Sequence, residues 1–280
     1  MSRRRTAQAA VARAREPGTL SSPPPRPQLA PRPDVPDVRR VSTFGYRVFD
    51  DHCDNIPLEG PPRTVATISP NSYGMATRDP EFREALQNAD YLVLDGVYFG
   101  LAALLLQRKK TKINNGPAVF ASVIRRLNER GGRVFFLGST DQTLAAIRAR
   151  LARECPNLTV ECFSPPFKPE FSAAEEAQMA EAINAFRPDV VFVGMTAPKQ
   201  EKWAWRNRDR LDTSLIVSVG AVFDWYAGNE PEIAPIWWKL HLGWLIRTIR
   251  RPEILKRYPN IGIFFWHLLL ALLGLKRVNP

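Results

Sequence analysis

Short, unbroken runs of β-branched and aromatic residues recur along the chain, and most are followed by a longer stretch with apolar positions three and four apart. Runs this short read as strands and the periodic stretches as amphipathic helices. Strands are predicted at Thr64–Ile68, Tyr91–Leu94, Arg133–Leu137, Leu158–Phe163, Asp189–Val193 and Leu215–Val219, behind a strand or hairpin arm at Val41–Phe49. Helices are predicted over Asp79–Gln87, from about Val97 to Leu106, and from Pro117 to near Arg130. Further ones run through Leu151, from the Ser172/Glu175 capping box to Phe186, and across Lys199, Gln200 and Glu201. Regular strand–helix alternation means an α/β fold, a parallel sheet with helices on both faces.

The predicted strands stop at small or polar residues: Ser69-Pro70-Asn71, Asp95-Gly96, Gly138-Ser139-Thr140, Gly194-Met195-Thr196 and Gly220. Carboxyl ends of parallel strands are where ligands bind, so these turns mark one rim of a site. Asp95 stands out within it. An acid partly desolvated at a strand end has a raised pKa and suits proton abstraction. The competing reading is that Asp95 only caps the next helix. Gly138, between a strand and a helix N-terminus, fits a nucleotide phosphate or ribose, although one glycine is not a GxGxxG.

The C-terminal pattern differs. Trp237, Trp238, Leu240, Leu242, Trp244, Leu245, Ile246 and Ile249 form a wide apolar face, with Lys239, Arg247, Arg250 and Arg251 mainly opposite. Aromatic and basic residues on one helix are the composition of an interfacial membrane helix. Ile261–Leu275 is almost wholly apolar but too short for a helix spanning a bilayer. It reads first as an in-plane or shallowly inserted helix, then as a short span, and last as a buried core helix. Removing residues 237–280 is expected to leave a folded, soluble, inactive core.

Charge sharpens the division into regions. Residues 1–40 hold nine Arg and eight Pro against three acids, and read as a disordered basic tail. Residues 239–280 carry eight Lys or Arg against one acid, so of the total +11 little is left for the middle. The organisation expected is a tail over 1–40, a core over 41–232 and a basic, aromatic appendage over 233–280. Basic ends around a near-neutral body point to an anionic membrane surface or a diphosphate, and not to nucleic acid. Three cysteines without CxxC spacing read as reduced thiols. The Asp50-Asp51-His52-Cys53-Asp54 cluster reads as a solvated turn, since neighbours in an extended chain face opposite ways and no second ligand group follows.

Several motifs in order carry a resemblance: Ala89-Asp90 with Asp95-Gly96, Phe135-Phe136-Leu137-Gly138, Pro198-Lys199-Gln200-Glu201-Lys202-Trp203, Val219-Gly220-Ala221-Val222-Phe223-Asp224 with Ala227-Gly228, Ala234-Pro235, Trp244-Leu245-Ile246-Arg247 and Arg257-Tyr258. Together, over about residues 42–258, they resemble the WecG/TagA/CpsF glycosyltransferases. The resemblance implies a Rossmann-like core with a membrane-facing helical appendage, at the cytoplasmic face of the bacterial plasma membrane. It implies inverting transfer from a UDP-sugar, often UDP-N-acetylmannosamine, to a polyprenyl-diphosphate-linked sugar, with no metal and no cofactor. The family's base falls on Asp95 and its appendage arginines on Arg247 and Arg257. Its substrate contacts fall on Ser69, Asn71, Lys112 and Gln200, with Glu201 and Asp224 in the matching motifs.

Departures cluster near one edge. The third appendage arginine is Ile254, the Arg-Ala-Pro motif reads Ile233-Ala234-Pro235, and Leu-Glu-Trp reads Leu242-Gly243-Trp244. Lys112 stands for an arginine, and Ala118 for an acid. They point to a different sugar or acceptor. A nucleotide-sugar hydrolase or epimerase, and a non-catalytic nucleotide-sugar-binding relative, remain the alternatives, and a homo-oligomer is left open.

Overall fold

The fold described here is that of a computed structural model, whose described residues are 38–229, 236–237 and 243–276. The predicted tail falls almost wholly outside them, as do Ile233–Pro235, Trp238–Leu242 and the side chains of Trp244 and Arg247.

The strands are β1 (Arg40–Thr43), β2 (Tyr46–Phe49), β3 (Arg63–Ile68), β4 (Tyr91–Leu94), β5 (Arg133–Gly138), β6 (Thr159–Phe163), β7 (Val190–Gly194) and β8 (Leu215–Ser218). They form one sheet in the order β1-β2-β4-β3-β8-β7-β5-β6. The β1–β2 hairpin is antiparallel, and every other pairing is parallel. Successive strand residues face opposite sides. Accordingly Val65, Val93, Phe136, Phe192 and Val217 share one buried cluster. Their neighbours divide between two others, Ala66, Leu92 and Leu94 in one and Phe135, Val191 and Ile216 in the next. Both faces are covered, as the continuous apolar runs required.

The helices are α1 (Pro70–Ala76), α2 (Pro80–Gln87), α3 (Val97–Gln107), α4 (Gly116–Arg130), α5 (Asp141–Glu154), α6 (Ala173–Phe186), α7 (Lys199–Asn207), α8 (Val222–Ala227), α9 (Gly243–Arg250) and α10 (Tyr258–Leu272). Their starts follow from capping: Asp79, Asn115, Thr140 and Ser172 each accept a first-turn backbone N–H. Ser69-Pro70-Asn71 is not the polar turn expected. It opens α1, with Ser69 and Ser72 forming a reciprocal capping box and Pro70 in the first turn.

The C-terminal helix adds to a second expectation. One face of α10 is core: Phe264 and Leu268 are buried in the cluster that holds Phe44, Tyr73 and Phe99. The Phe264 and Phe99 rings stack at 5.3 Å, and the Tyr73 hydroxyl lies 2.8 Å from His267 Nδ1. Backbones meet closely here, since a Cβ on Gly74 would stand 2.2 Å from the Asn260 carbonyl oxygen. A glycine on α1 is what allows α10 to dock. Removing residues 237–280 therefore uncovers the core rather than leaving it intact. No helix among the described residues is long and apolar enough to cross a membrane.

Candidate active site

The carboxyl ends of the parallel strands open into one cleft of about 900 Å³. Its wall takes Ser69 from the end of β3, Asp95 from β4, Gly138 and Ser139 from β5, Ser164 after β6, Gly194 from β7 and Gly220 after β8. The N-terminal residues of α4, α5 and α7 also line it, as Gly116, Asp141 and Lys199. Helix N-termini present unsatisfied N–H groups and a positive dipole end, an arrangement that receives phosphate. The segment before α10 closes the mouth with Arg251, Lys256 and Arg257.

Close strand-end packing keeps this floor open. Gly138 has φ +114°, and a Cβ there would lie 2.5 Å from the Gly194 carbonyl oxygen. The next residue, Ser139, is left-handed at φ +59°, and its carbonyl accepts from Ser164 Oγ at 2.9 Å. A non-glycine residue held in that region stores backbone strain at a site.

Asp95 continues the sheet through its backbone, donating its N–H to Ile68 O at 2.9 Å. The N-cap of α3 is Gly96, so Asp95 stands one residue outside the capping position. Its side chain is exposed, which corrects the expected desolvation: β4 ends there, and the protein alone does not cover the carboxylate.

Gln200 and Glu201 form the buried part of the wall, 3 % and 4 % exposed. Gln200 Oε1 accepts from the Met195 N–H at 3.2 Å, and Gln200 Nε2 donates to Glu201 Oε1 at 2.8 Å. Those two bonds fix which way the amide points. Glu201 Oε2 has no hydrogen-bond partner. Burial is the dominant cause that pushes the Glu201 carboxyl up to about 7, against the smaller opposing effect of Gln200. The helix carrying both is held by ion pairs on its other turns: Arg206 to Glu81 at 2.7 Å and to Glu176 at 2.6 Å, and Lys202 to Asp79 at 2.8 Å. Trp203, fully buried, anchors the same helix. Lys199 is engaged with the protein, donating to the Lys168 carbonyl at 2.8 Å, and burial lowers its pKa.

The cleft thus brings together Ser69, Asn71, Asp95, Gly138, Gln200, Glu201, Asp224 and Arg257. Ser69 is also the α1 cap, and Asn71 Oδ1 accepts from Asn260 Nδ2 at 3.1 Å, tying α1 to α10. Lys112 is not brought to the wall: it is exposed, and its N–H donates to Asp50 Oδ1 at 2.9 Å, which holds its loop against the end of β2. Arg247 lies on α9 with its side chain outside the described set. Arg251 and Lys256 were missed as site residues. Pro252, which stops a helix at the residue before it, was the available signal that Arg251 begins a new segment.

The His52, Cys53 and Asp54 side chains do lie close together, but their polar atoms are engaged. Cys53 Sγ donates to Ala118 O at 3.7 Å, Asp54 accepts from Ser122 Oγ and Arg125, and His52 Nδ1 accepts from the Asp54 N–H. Cys53 is buried, so this turn is only partly solvated.

Known proteins resemble this chain over most of its length. An N-acetylglucosaminyldiphosphoundecaprenol N-acetyl-beta-D-mannosaminyltransferase of Bacillus spizizenii is 24% identical over 197 residues, covering 70% of this chain and 75% of the relative. A Staphylococcus aureus protein of the same name is 24% identical over 215 residues, 77% of this chain and 83% of its own. Residues 46–278 match the Glycosyl transferase WecG/TagA/CpsF family, and that span takes in every strand from β2 onward and the whole cleft. With its strand-end acid, cleft-lining helix N-termini and docked C-terminal helix inside one matched span, the chain belongs to the WecG/TagA/CpsF family of glycosyltransferases.

Proposed function

We propose that this protein is an inverting hexosyltransferase that moves a sugar from a UDP-sugar to a polyprenyl-diphosphate-linked glycan precursor. It acts as a peripheral or monotopic enzyme at the cytoplasmic face of the bacterial plasma membrane. The observation that carries the reading is one cleft holding Asp95 beside three helix N-termini and the Arg251, Lys256 and Arg257 mouth.

In this reading Asp95 accepts the proton of an acceptor hydroxyl. The oxygen forms a bond to the anomeric carbon on the face opposite the nucleotide. The bond from that carbon to the UDP oxygen breaks, and UDP leaves with the electron pair. Its growing negative charge is met by the cations at the mouth and the helix N-termini, which need no reorganisation at the moment of transfer. Gln200, held by Met195 and Glu201, presents its amide to the sugar or nucleotide, with Ser69, Asn71, Gly138 and Asp224 around it. Exposure of Asp95 supports an acceptor-completed site, because the arriving sugar supplies the desolvation that the protein alone does not.

The relatives' names support a sugar on a diphosphoundecaprenol as acceptor and N-acetylmannosamine as the donor sugar. The replacements at Ile254 and Ala118 favour a different hexose or acceptor here. UDP release from a panel of UDP-sugars, with and without a polyprenyl-diphosphate-sugar in detergent, tests the whole reading. Acceptor-dependent release from one donor supports it and names the sugar. Acceptor-independent release would make the protein a hydrolase, and no release from a chain that binds UDP would make it a non-catalytic relative.

A further inference from the structure

The α3 helix has two apolar faces. Phe99, Ala102 and Ala103 are buried in the core. On the other side Leu101, Leu104 and Leu105 are 38–48 % exposed. Helices apolar all round belong in a core or in lipid, and this one is only half in the core. The α10 helix repeats the arrangement: Phe264 and Leu268 face inward, and Trp266, Leu269 and Leu272 are 46–58 % exposed. The two outward faces are one surface, because the Tyr98 and Phe265 rings meet edge to face at 6.1 Å. An exposed apolar surface running across two helices marks an interaction site.

Charge decides what covers it. No acidic residue occurs from Gly96 to Asn128, nor after Glu253. The exposed Arg108, Lys109 and Lys110 directly follow α3, and the exposed Lys256 and Arg257 directly precede α10. A second copy of the chain would bring cations against cations, whereas an anionic lipid surface complements them. Both helices start near the cleft: of its lining residues, Asp95 stands two before the start of α3, Arg257 directly precedes α10 and Asn260 lies in its first turn.

From this we infer that the joint α3–α10 face seats the enzyme on an anionic bilayer, so that α3 of the catalytic core, and not the C-terminal segment alone, enters the lipid interface. The inference rests on the membrane location in the proposed function and assigns its surface. Seated this way, the rim carrying Asp95 lies at the lipid headgroups, where a diphosphate attached to a buried tail can reach the cleft without leaving the bilayer.

The test is sedimentation of the full chain with phosphatidylcholine vesicles with and without phosphatidylglycerol. Turnover of a short-chain, water-soluble diphosphate-sugar acceptor is measured alongside. Wild type should bind the anionic vesicles, and the Leu101→Ser/Leu104→Ser/Leu105→Ser variant should bind them about tenfold or more weakly while keeping its soluble turnover. Far-UV circular dichroism checks its fold. Should it not fold, Lys109→Glu/Lys110→Glu at the exposed loop should weaken the same binding by a similar factor. Undiminished binding by a folded variant would overturn the inference. Absence of binding by wild type would do so too, as would a wild-type dimer in light scattering that the leucine variant dissociates. Binding that follows these expectations in a protein with no transferase turnover would sink the proposed reaction and leave the surface standing.

Discussion

Glu201→Gln is the most informative single substitution, because it removes one titration and almost nothing else. The native carboxyl sits at about 7 against an ordinary 4.5, chiefly through burial. Between those two values the folded chain holds a proton that the unfolded chain has released. Stability therefore falls as pH rises through that window, and the loss is complete above the folded value. A shift of this size corresponds to about 3 kcal/mol. Glutamine keeps an Oε1 to accept from Gln200 Nε2, so the amide bond observed at 2.8 Å survives. Urea unfolding of both proteins at intervals from pH 4.5 to 8.5 reads the effect. The variant should gain on wild type as pH rises, by about 3 kcal/mol at the alkaline end, or roughly 6–12 °C in melting temperature for a chain of this size. The difference between the two curves matters more than either curve. Carboxylates lowered by hydrogen bonds and ion pairs, such as Glu161 and Glu175, titrate below this window and cancel. Parallel curves would refute the reasoning, since they would mean that Glu201 is ionised in the folded protein at the acid end as well.

Other substitutions probe the site and its frame. Asp95→Asn should abolish transfer with the melting temperature unchanged, because the side chain is exposed; retained turnover would remove Asp95 as the base. Arg257→Ala should lower kcat/KM for the UDP-sugar about tenfold or more by weakening charge stabilisation on the leaving group, and steady-state kinetics with unchanged constants would remove that role. Gly74→Ala places a methyl against the Asn260 carbonyl and should cost about 1–3 kcal/mol as overpacking, measured as a drop in urea midpoint; a neutral result would mean that α10 docks loosely. Transfer should survive EDTA, and its loss, restored by a divalent ion, would reopen the question of a metal.

The sequence was most legible where one physical signal dominated. Tyr91–Leu94 and the Ser172/Glu175 capping box lie where the apolar run and the cap placed them. Phe82, Ala85 and Leu86 face the core at their helical spacing. Short α1 was missed because Ser69-Pro70-Asn71 satisfies turn and helix-start chemistry equally well, and its seven residues include Gly74, a poor helix former required by α10. The cleft rim was readable as polar strand ends. The exposure of Asp95 was not, since it depends on where α3 leaves the sheet. Ile261–Leu275 was only half legible for a related reason: a nearly uniform apolar run does not say which side meets protein, and here Phe264 and Leu268 do while Trp266 does not.

The joint between Asn71 and Asn260 spans 189 residues of sequence, and this sets an order of events during synthesis. At about 5–20 residues per second, roughly 10–40 s separate the emergence of α1 from that of its partner helix. Throughout that interval the aromatic surface of Phe44, Tyr73 and Phe99 has no lid. Among the described helices α10 is made last, and it covers this cluster with Phe264 and Leu268. A nascent chain stalled before residue 258 should be held by chaperones and sensitive to protease. On the inferred seating of the α3–α10 face, covering this core and completing the surface that meets lipid become, for this chain, nearly the same step.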